Sequence, residues 1–476
     1  MSNSRRIPVL VVIVLLLVGG GLLDRRGRPA SHLSSSTPGP QAAAASAGSS
    51  AWYCTGATAT PAAKDGGADG NVVVANAGSR ALQGTITAYP DSGQPQRRPV
   101  TVGPLSRQVV RLADVTPSKY ASALVELDGG DAAVELAASG PLGDTVSPCA
   151  SAASPQWYFA EGVTTKDATE TLFLFNPFPD DAVVDLVFGT EDGQVTPQAL
   201  TGLAVSGGSM AAVNVGDFVQ RREQVTAAVT ARTGRLVTAR LQSFDGTAGR
   251  KGMALALGSA SAGGLWYLPE GRVGDGLTER YQVYNPSNRE AQVQLELALE
   301  SAQAEPLGLT IPAQGRVTVA ANDQPRIPKG VAHAVTVRSL NGVGVVVERD
   351  VDAGPPSKRV GVAETPGAQV TARRWVLSAG EADGNFDEYL VVQNPGPATA
   401  RVSLSVLGDG TPVSNGALSG VQVGAGQRTA VRLGDSLKLA ATPVLVSSDQ
   451  PVVVERDLYR LGGLGTSMSI GVPLRG

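Results

Sequence analysis

Histidine is nearly missing from this chain: its 476 residues contain only His32 and His333. That leaves almost no material for a histidine-based metal site, or for a Ser-His-Asp or Cys-His catalytic arrangement. Aromatic residues make up 4% of the chain, too few to platform a sugar readily. The formal net charge is −3, with both signs interspersed. It provides no basic footprint, so nucleic acid is not an expected partner. Long apolar runs are absent with one exception, Ile7 to Leu23, which follows Arg5-Arg6 and ends at Asp24-Arg25-Arg26. Its 17 residues would reach roughly 26 Å as a helix, enough for a signal-anchor that crosses a membrane. No small-x-small cleavage site directly follows it.

What the chain does have is a four-fold repeat. Trp157-Tyr-Phe-Ala-Glu-Gly is followed by an apolar run ending at Asn176-Pro177, nineteen residues after the Trp. Trp266 leads in the same way to Asn285-Pro286, and Trp375 to Asn394-Pro395. A looser first copy runs from Trp52 to Asn76. These are the only four Trp, spaced by 105, 109 and 109 residues, so the repeat is of domain size. The organisation read from it is a short cytoplasmic 1–6, an anchor 7–23, a disordered linker 24–50, and modules 51–150, 151–262, 263–371 and 372–476.

Within each module apolar residues alternate with period two. Val184, Leu186 and Phe188, for example, match Val293, Leu295 and Leu297 in the next copy. The residue directly before the repeat Asn is Ala75, Phe175, Tyr284 or Gln393, a mixture that predicts a solvent-facing position. The expected fold is all-β: four tandem immunoglobulin-like β-sandwich modules of about seven short strands each. A single propeller is the main alternative, set aside because about 105 residues far exceeds one four-stranded blade.

The pattern Trp-Tyr-x-x-Glu-Gly, then a strand ending in Asn-Pro, then a Val-rich strand ending in Glu-Arg-Asp (Glu348-Arg349-Asp350, Glu455-Arg456-Asp457) resembles repeats of bacterial cell-surface proteins. The whole chain is similar to an actinobacterial membrane-anchored family of unknown function. The resemblance implies surface location and β-sandwich modules, and brings no catalytic residues with it.

No residue set is singled out for catalysis, a cofactor or a metal. His333 reads as a bland strand residue. Gly263-Gly264 and Gly462-Gly463 read as turns, because they lack the Lys-Ser/Thr of a phosphate loop. Asp383-Gly-Asn385-Phe-Asp387 opens like a calcium loop, but Glu388 stands where the turn Gly belongs and Asn394 where the bidentate Glu belongs. It is expected to be a solvated loop.

Three structural assignments follow. Cys54 and Cys149 lie near the first and last strands of one module and are expected to form a disulfide. Trp52, Trp157, Trp266 and Trp375 are expected to be core anchors. Glu four residues after the Trp and Arg eighty-three after it, Glu161 with Arg240 and Glu270 with Arg349, are expected to form ion pairs inside each module. The first module carries Gly56 and Glu135 at those positions, and in the fourth Ala379 leaves Arg456 to meet Glu381. The function expected is a non-catalytic, membrane-anchored extracytoplasmic scaffold or binding protein. Its partners would be the membrane through the N-terminal helix, and an envelope protein or cell-wall polymer. The alternatives are an adhesion array and, more remotely, a cell-wall carbohydrate-active enzyme.

Overall fold

Period-two alternation needs a covered face, and in each repeat two antiparallel sheets supply it to one another. In the second module one sheet orders Thr201–Val205, Ala182–Thr190, Val225–Thr233 and Gln156–Phe159, with the short Gly193–Val195 beside Ala182–Thr190. The other orders Ser209–Asn214, Ala168–Asn176, Val237–Asp245 and Lys251–Leu257. Val184, Leu186 and Phe188 point into the space between them and are fully buried, while Val183, Asp185 and Val187 are half-exposed. The computed structural model describes residues 39–60, 68–299, 303–382, 384–408, 410–437 and 439–475. Among these residues, regular structure is all strand apart from three-residue 3-10 turns. No helix among them is long and apolar enough to cross a membrane, and the expected anchor 7–23 lies outside them.

All four Trp are fully buried at the start of their modules. In three of them the indole N–H donates to a late strand of the same module: Trp157 to Leu236 O at 2.8 Å, Trp266 to Val345 O at 2.9 Å, and Trp375 to Val452 O at 3.0 Å. The repeat Asn is buried in all four modules. In the second, Asn176 Nδ2 donates to Asp180 O and Val205 O while its Oδ1 accepts from Phe178 N. This clamp turns the chain where Pro ends the ladder. Cys54 and Cys149 form a disulfide with their Cα atoms 4.6 Å apart.

The modules are not strung in a row. They close into a four-bladed, propeller-like ring in which each blade is a pair of sheets. The last strand of each module lies on the axis: Gly143–Pro148, Lys251–Leu257, Gly361–Pro366 and Thr466–Ile470, each packed on the next and the fourth on the first. Their backbones pass very close. A Cβ on Gly252 (φ +150°) would lie 2.6 Å from Val362 N of the third module, and one on Gly361 (φ +143°) 2.8 Å from Thr466 N of the fourth. Glycine is required at both positions. The size argument against a propeller counted one sheet per blade, whereas here each repeat supplies two.

Closure corrects two further expectations. Ala75, Phe175, Tyr284 and Gln393, expected to face solvent, are all buried. Their outer face meets the preceding module: Phe175 packs edge-on against Tyr89 at 5.0 Å, Tyr284 against Tyr158 at 6.4 Å, and Gln393 Nε2 donates to Thr336 Oγ1 at 3.0 Å. Residues 39–50, the end of the stretch expected to be linker, lie on the ring. Ala42 is fully buried and its N–H donates to Pro473 O at 3.0 Å, so the start of the described chain is laced to its end.

Because Trp266 fills a core shared by both sheets of its blade, Trp266→Ala should destabilise the folded chain by about 3 to 5 kcal/mol. Denaturant unfolding of the whole chain checks this, and an unchanged midpoint would remove the anchor role.

Candidate functional site: the seams between modules

The charged residues that the repeat marks converge on the seams. Arg240, on Val237–Asp245, is fully buried. Its Nη1 donates to the backbone carbonyl of Glu161, so the two residues expected to pair do meet, but not through the carboxylate. Its Nη2 crosses into the third module, to Glu348 Oε2 at 2.8 Å and Glu364 Oε2 at 2.7 Å. The Glu161 carboxylate also crosses, to Arg316 at 3.0 Å. The next seam repeats this geometry. Arg349 Nη1 donates to Glu270 O and its Nη2 to Glu455 of the fourth module, while the Glu270 carboxylate takes Arg428. At the seam that closes the ring, Arg456 reaches Glu135 of the first module at 3.2 Å. Glu135 also accepts from Ala379 N at 2.5 Å.

Strand register shows that these contacts form one system. Arg240, Arg349 and Arg456 face positions four before the repeat Asn, and Leu136 holds that place in the first module. Each Arg is accompanied by a fully buried Glu of its own module six before the Asn, Glu170, Glu279 or Glu388, where the first module has Gly70. Arg456 lies 2.8 Å from Glu388. The carboxylates that receive the Arg from the preceding module are Glu348, Glu455 and Glu135, and the second module has Ala239 at that register. The seam from the first module to the second thus lacks both halves of the pair. Apolar and aromatic contacts replace them, with Tyr120 on Phe173 at 5.1 Å and the cores of both modules merged into one cluster. Comparing copies position by position within one module could not show this. The signal lies between each module and the next, taken cyclically.

Burial sets the proton balance. The 2–3 seam places two carboxylates on one Arg240 guanidinium, and loss of water pushes Glu364 up to about 8 and Glu161 to about 7, against the opposing pull of Arg240 and Arg316. Desolvation likewise raises Glu388 to about 7. Glu170, fully buried without a hydrogen-bond partner for either oxygen among the described residues, is pushed well above the carboxylate range. Perturbed carboxylates are often catalytic. These are packed in seams against Arg.

Of the other candidates, His333 is buried, with Nε2 at 2.9 Å from Tyr281 Oη and 3.1 Å from Glu279. Asp383 of the acidic loop lies outside the described residues, Asp387 pairs with Arg432 at 2.5 Å, and Glu388 belongs to the seam. Among the described residues no group of three or more His, Cys, Asp or Glu is arranged to hold a metal. Two clefts lie on the seams, about 330 Å³ between the third and fourth modules and about 290 Å³ between the fourth and first. A cavity of about 60 Å³ lies on the axis, where Pro148, Leu257, Pro366 and Ile470 meet Gly39 and Pro40.

Two outcomes follow for the seams. Arg349→Leu leaves Glu455 buried without its cation and should cost about 3 to 5 kcal/mol. Adding Glu455→Ala, which copies the neutral Leu136/Ala239 seam, should recover at least half. A double-mutant cycle by denaturant unfolding reads the coupling, and strictly additive losses would dismiss the pair. Glu364 keeps its proton in the folded ring up to about pH 8, whereas the unfolded chain loses it near 4.5. The folded state therefore binds more protons across that window, so this group's stabilisation is complete below it and is lost as pH rises through it. Glu364→Gln, a mimic of the neutral form, should leave the melting temperature unchanged at pH 5 and raise stability at pH 8 by on the order of 1 kcal/mol. Equal shifts at both pH values would contradict the assignment.

No curated protein matches this chain. Among solved structures, it is similar to that titled Thermotoga maritima 1070 at 18% identity, over 22% of this chain and 94% of the other, with a TM-score of 0.21. The Anabaena sensory rhodopsin transducer is similar at 24% identity over 18% and 94%, TM-score 0.17. The tetra-tandem repeat in the extending region of a large adhesion protein is similar at 15% identity over 87% and 96%, TM-score 0.12. Residues 137–358, from the late strands of the first module through most of the third, match the model of a family of unknown function, DUF5719.

Proposed function

We propose that the chain is a non-catalytic, single-pass membrane protein of the bacterial cell envelope, whose ring lies outside the cytoplasm and holds an envelope protein or cell-wall polymer near the membrane. The observation that carries this reading is the buried Cys54–Cys149 disulfide, which belongs to an oxidising compartment. The apolar run Ile7 to Leu23 supplies the means of export and anchorage. With residues 39–50 on the ring, 15 residues (24–38) separate the anchor from it, roughly 54 Å at full extension. A closed ring also lacks the reach of modules strung outward, which favours a scaffold or binding role over an adhesion array.

We read the blades as variants of the immunoglobulin-like sandwich. Two antiparallel sheets share a core, and Ala168–Asn176 neighbours the later Ser209–Asn214 instead of the next strand in sequence. The actinobacterial resemblance of the repeat motifs agrees with this setting. The non-catalytic reading rests on the packing of the perturbed carboxylates against Arg inside seams.

Fractionation with thiol labelling tests the proposal. The full chain should stay in the membrane pellet through high-salt and alkaline washes, be cut by protease added outside, and label at Cys54 and Cys149 only after reduction and unfolding. Recovery in the soluble cytoplasmic fraction with both thiols reactive would overturn it. Attachment to a surface that survives loss of membrane partners would favour the adhesion reading.

A further inference from the structure

The seam between the second and third modules gathers more acid than base. From the second module come Glu161 and Glu170 with Arg240 and Arg250, and from the third come Glu348, Asp350, Asp352 and Glu364 with Arg280 and Arg316. Arg240 holds Glu348 and Glu364, Arg316 holds Glu161, and Arg250 and Arg280 both hold Asp350. Asp352 lies half-buried in the field of Arg250, Arg280 and Asp350. Six carboxylates thus face four guanidinium groups, and five of the six are buried. Between the third and fourth modules the excess is smaller: Glu270, Glu279, Glu455 and Asp457 face Arg349, Arg359 and Arg428.

Glu170 is the seam carboxylate that no donor serves. In the third and fourth modules its counterparts have one within their own module: Glu279 accepts from Tyr281 Oη at 2.9 Å and lies 3.1 Å from His333 Nε2, and Glu388 accepts from Thr442 Oγ1. His333 and Thr442 are placed there by their backbone N–H groups, which donate to Gly271 O and Gly380 O, and Val225 makes the same bond to Gly162 O in the second module. Leu172 likewise holds the register of Tyr281. With Leu172 and Val225 in those places, neither Glu170 oxygen finds a partner among the described residues. A carboxyl group buried in this way keeps its proton.

The apolar cores make this seam a joint. Those of the first and second modules form one cluster, whereas the third module has its own, which takes Ala160 and the half-buried Tyr158 from the second. The ionic layer lies between two separate cores, so it can admit water without opening either. We propose that the seam between the second and third modules is a pH-sensitive joint, closed while protons offset its two surplus carboxylates and loosening reversibly when alkali removes them, with the apolar seam between the first and second modules staying shut. Loosening lets water reach the carboxylates and returns them to their ordinary range, so the closed seam binds more protons than the loosened one. Burial raises Glu161 to about 7 and Glu364 to about 8, so closure is complete below that window and is lost as pH rises through it. This assignment is independent of where the protein resides.

Hydrogen exchange on the full-length chain tests the joint, because backbone amides donate across both seams. Ala160 N donates to Glu348 Oε1 at 2.9 Å and Glu161 N to Glu348 Oε2 at 3.3 Å. At the apolar seam Leu255 N donates to Thr145 Oγ1 at 2.9 Å and Leu257 N to Ser147 Oγ at 3.1 Å. From pH 6 to pH 9, protection factors corrected for intrinsic exchange should fall at least tenfold at Ala160 and Glu161 and return on reacidification, while those at Leu255 and Leu257 change less than threefold. Glu170→Gln combined with Glu364→Gln leaves four carboxylates to four guanidinium groups, and should hold Ala160 and Glu161 within threefold over the same range. Constant protection at Ala160 and Glu161 in the unmodified chain, an equal fall at Leu255 and Leu257, or a tenfold fall that persists in the double variant would overturn the proposal. The first two comparisons use the unmodified chain alone, so the test stands even where the substitutions prevent folding.

Discussion

A guanidinium removed from water must be given charge and hydrogen bonds in return, and the ring answers that demand three times over. Arg240, Arg349 and Arg456 are among the largest fully buried side chains of the chain. No single module contains what each of them needs. One donor nitrogen is used at home, on the carbonyl of the Glu of Glu-Gly, Glu161 or Glu270, or on that of Leu377, two residues before the fourth module's counterpart Ala379. Another is satisfied only by the next module. A module alone would leave its Arg half-paired at an open face and its Glu170 or Glu279 uncovered. Breaking such a pair costs far more than never having it. The ion pairs therefore specify which faces meet and in what register, while burial of both faces of the Asn-ended strand supplies the attraction.

The all-β class, the four modules, the buried Trp and the disulfide were legible because each leaves a local mark: period two, one Trp per repeat, one pair of Cys. Closure left no such mark. Phe175 and Tyr284 looked surface-like because their residue type varies between copies, yet the variation follows the neighbour across the seam: Tyr89 in one case, Tyr158 in the other. The Glu–Arg covariation was real but was assigned to the wrong partner. Glu161 and Arg240 rise and fall together because both serve one seam, each with a different residue of the third module. Glu135, which reads as a loss of Arg in the first module, is the carboxylate that Arg456 requires. Gly252 and Gly361 gave no sign in sequence that another module's backbone presses on them, since a glycine at the start of a strand is unremarkable.

The apolar seam shows what the ionic ones add. Between the first and second modules Leu136 and Ala239 replace Arg and Glu, and the two cores merge around Tyr89, Tyr120, Phe173 and Phe175. Well-packed apolar groups commonly equal or exceed a buried ion pair in stability. If stability were the sole requirement, all four seams could look alike. Ionic seams instead reject a wrong neighbour, because a module docked out of order would bury an Arg against Ala239 with no carboxylate to meet it, or a receiving Glu against Leu136 with no cation. With four similar blades on one chain, that discrimination matters most where blades are most alike, and the second to fourth modules are the ones that carry it.

Closure of the ring joins the first module to the fourth and is its most non-local step, so it adds the largest loop to be ordered. It is secured by Arg456 on Glu135, Arg460 on Asp144, Val146 N on Ser467 Oγ at 2.8 Å, and the lacing of Ala42 to Pro473. At the same seam Ala379 stands in place of the Glu, while Arg460, over Phe386 and on Asp144, takes the part that Arg250 plays over Phe244 and on Asp350. Clefts of about 290 Å³ here and about 330 Å³ between the third and fourth modules show that an ionic seam tolerates open space once its Arg is paired, because the pairing and not complete filling sets the register.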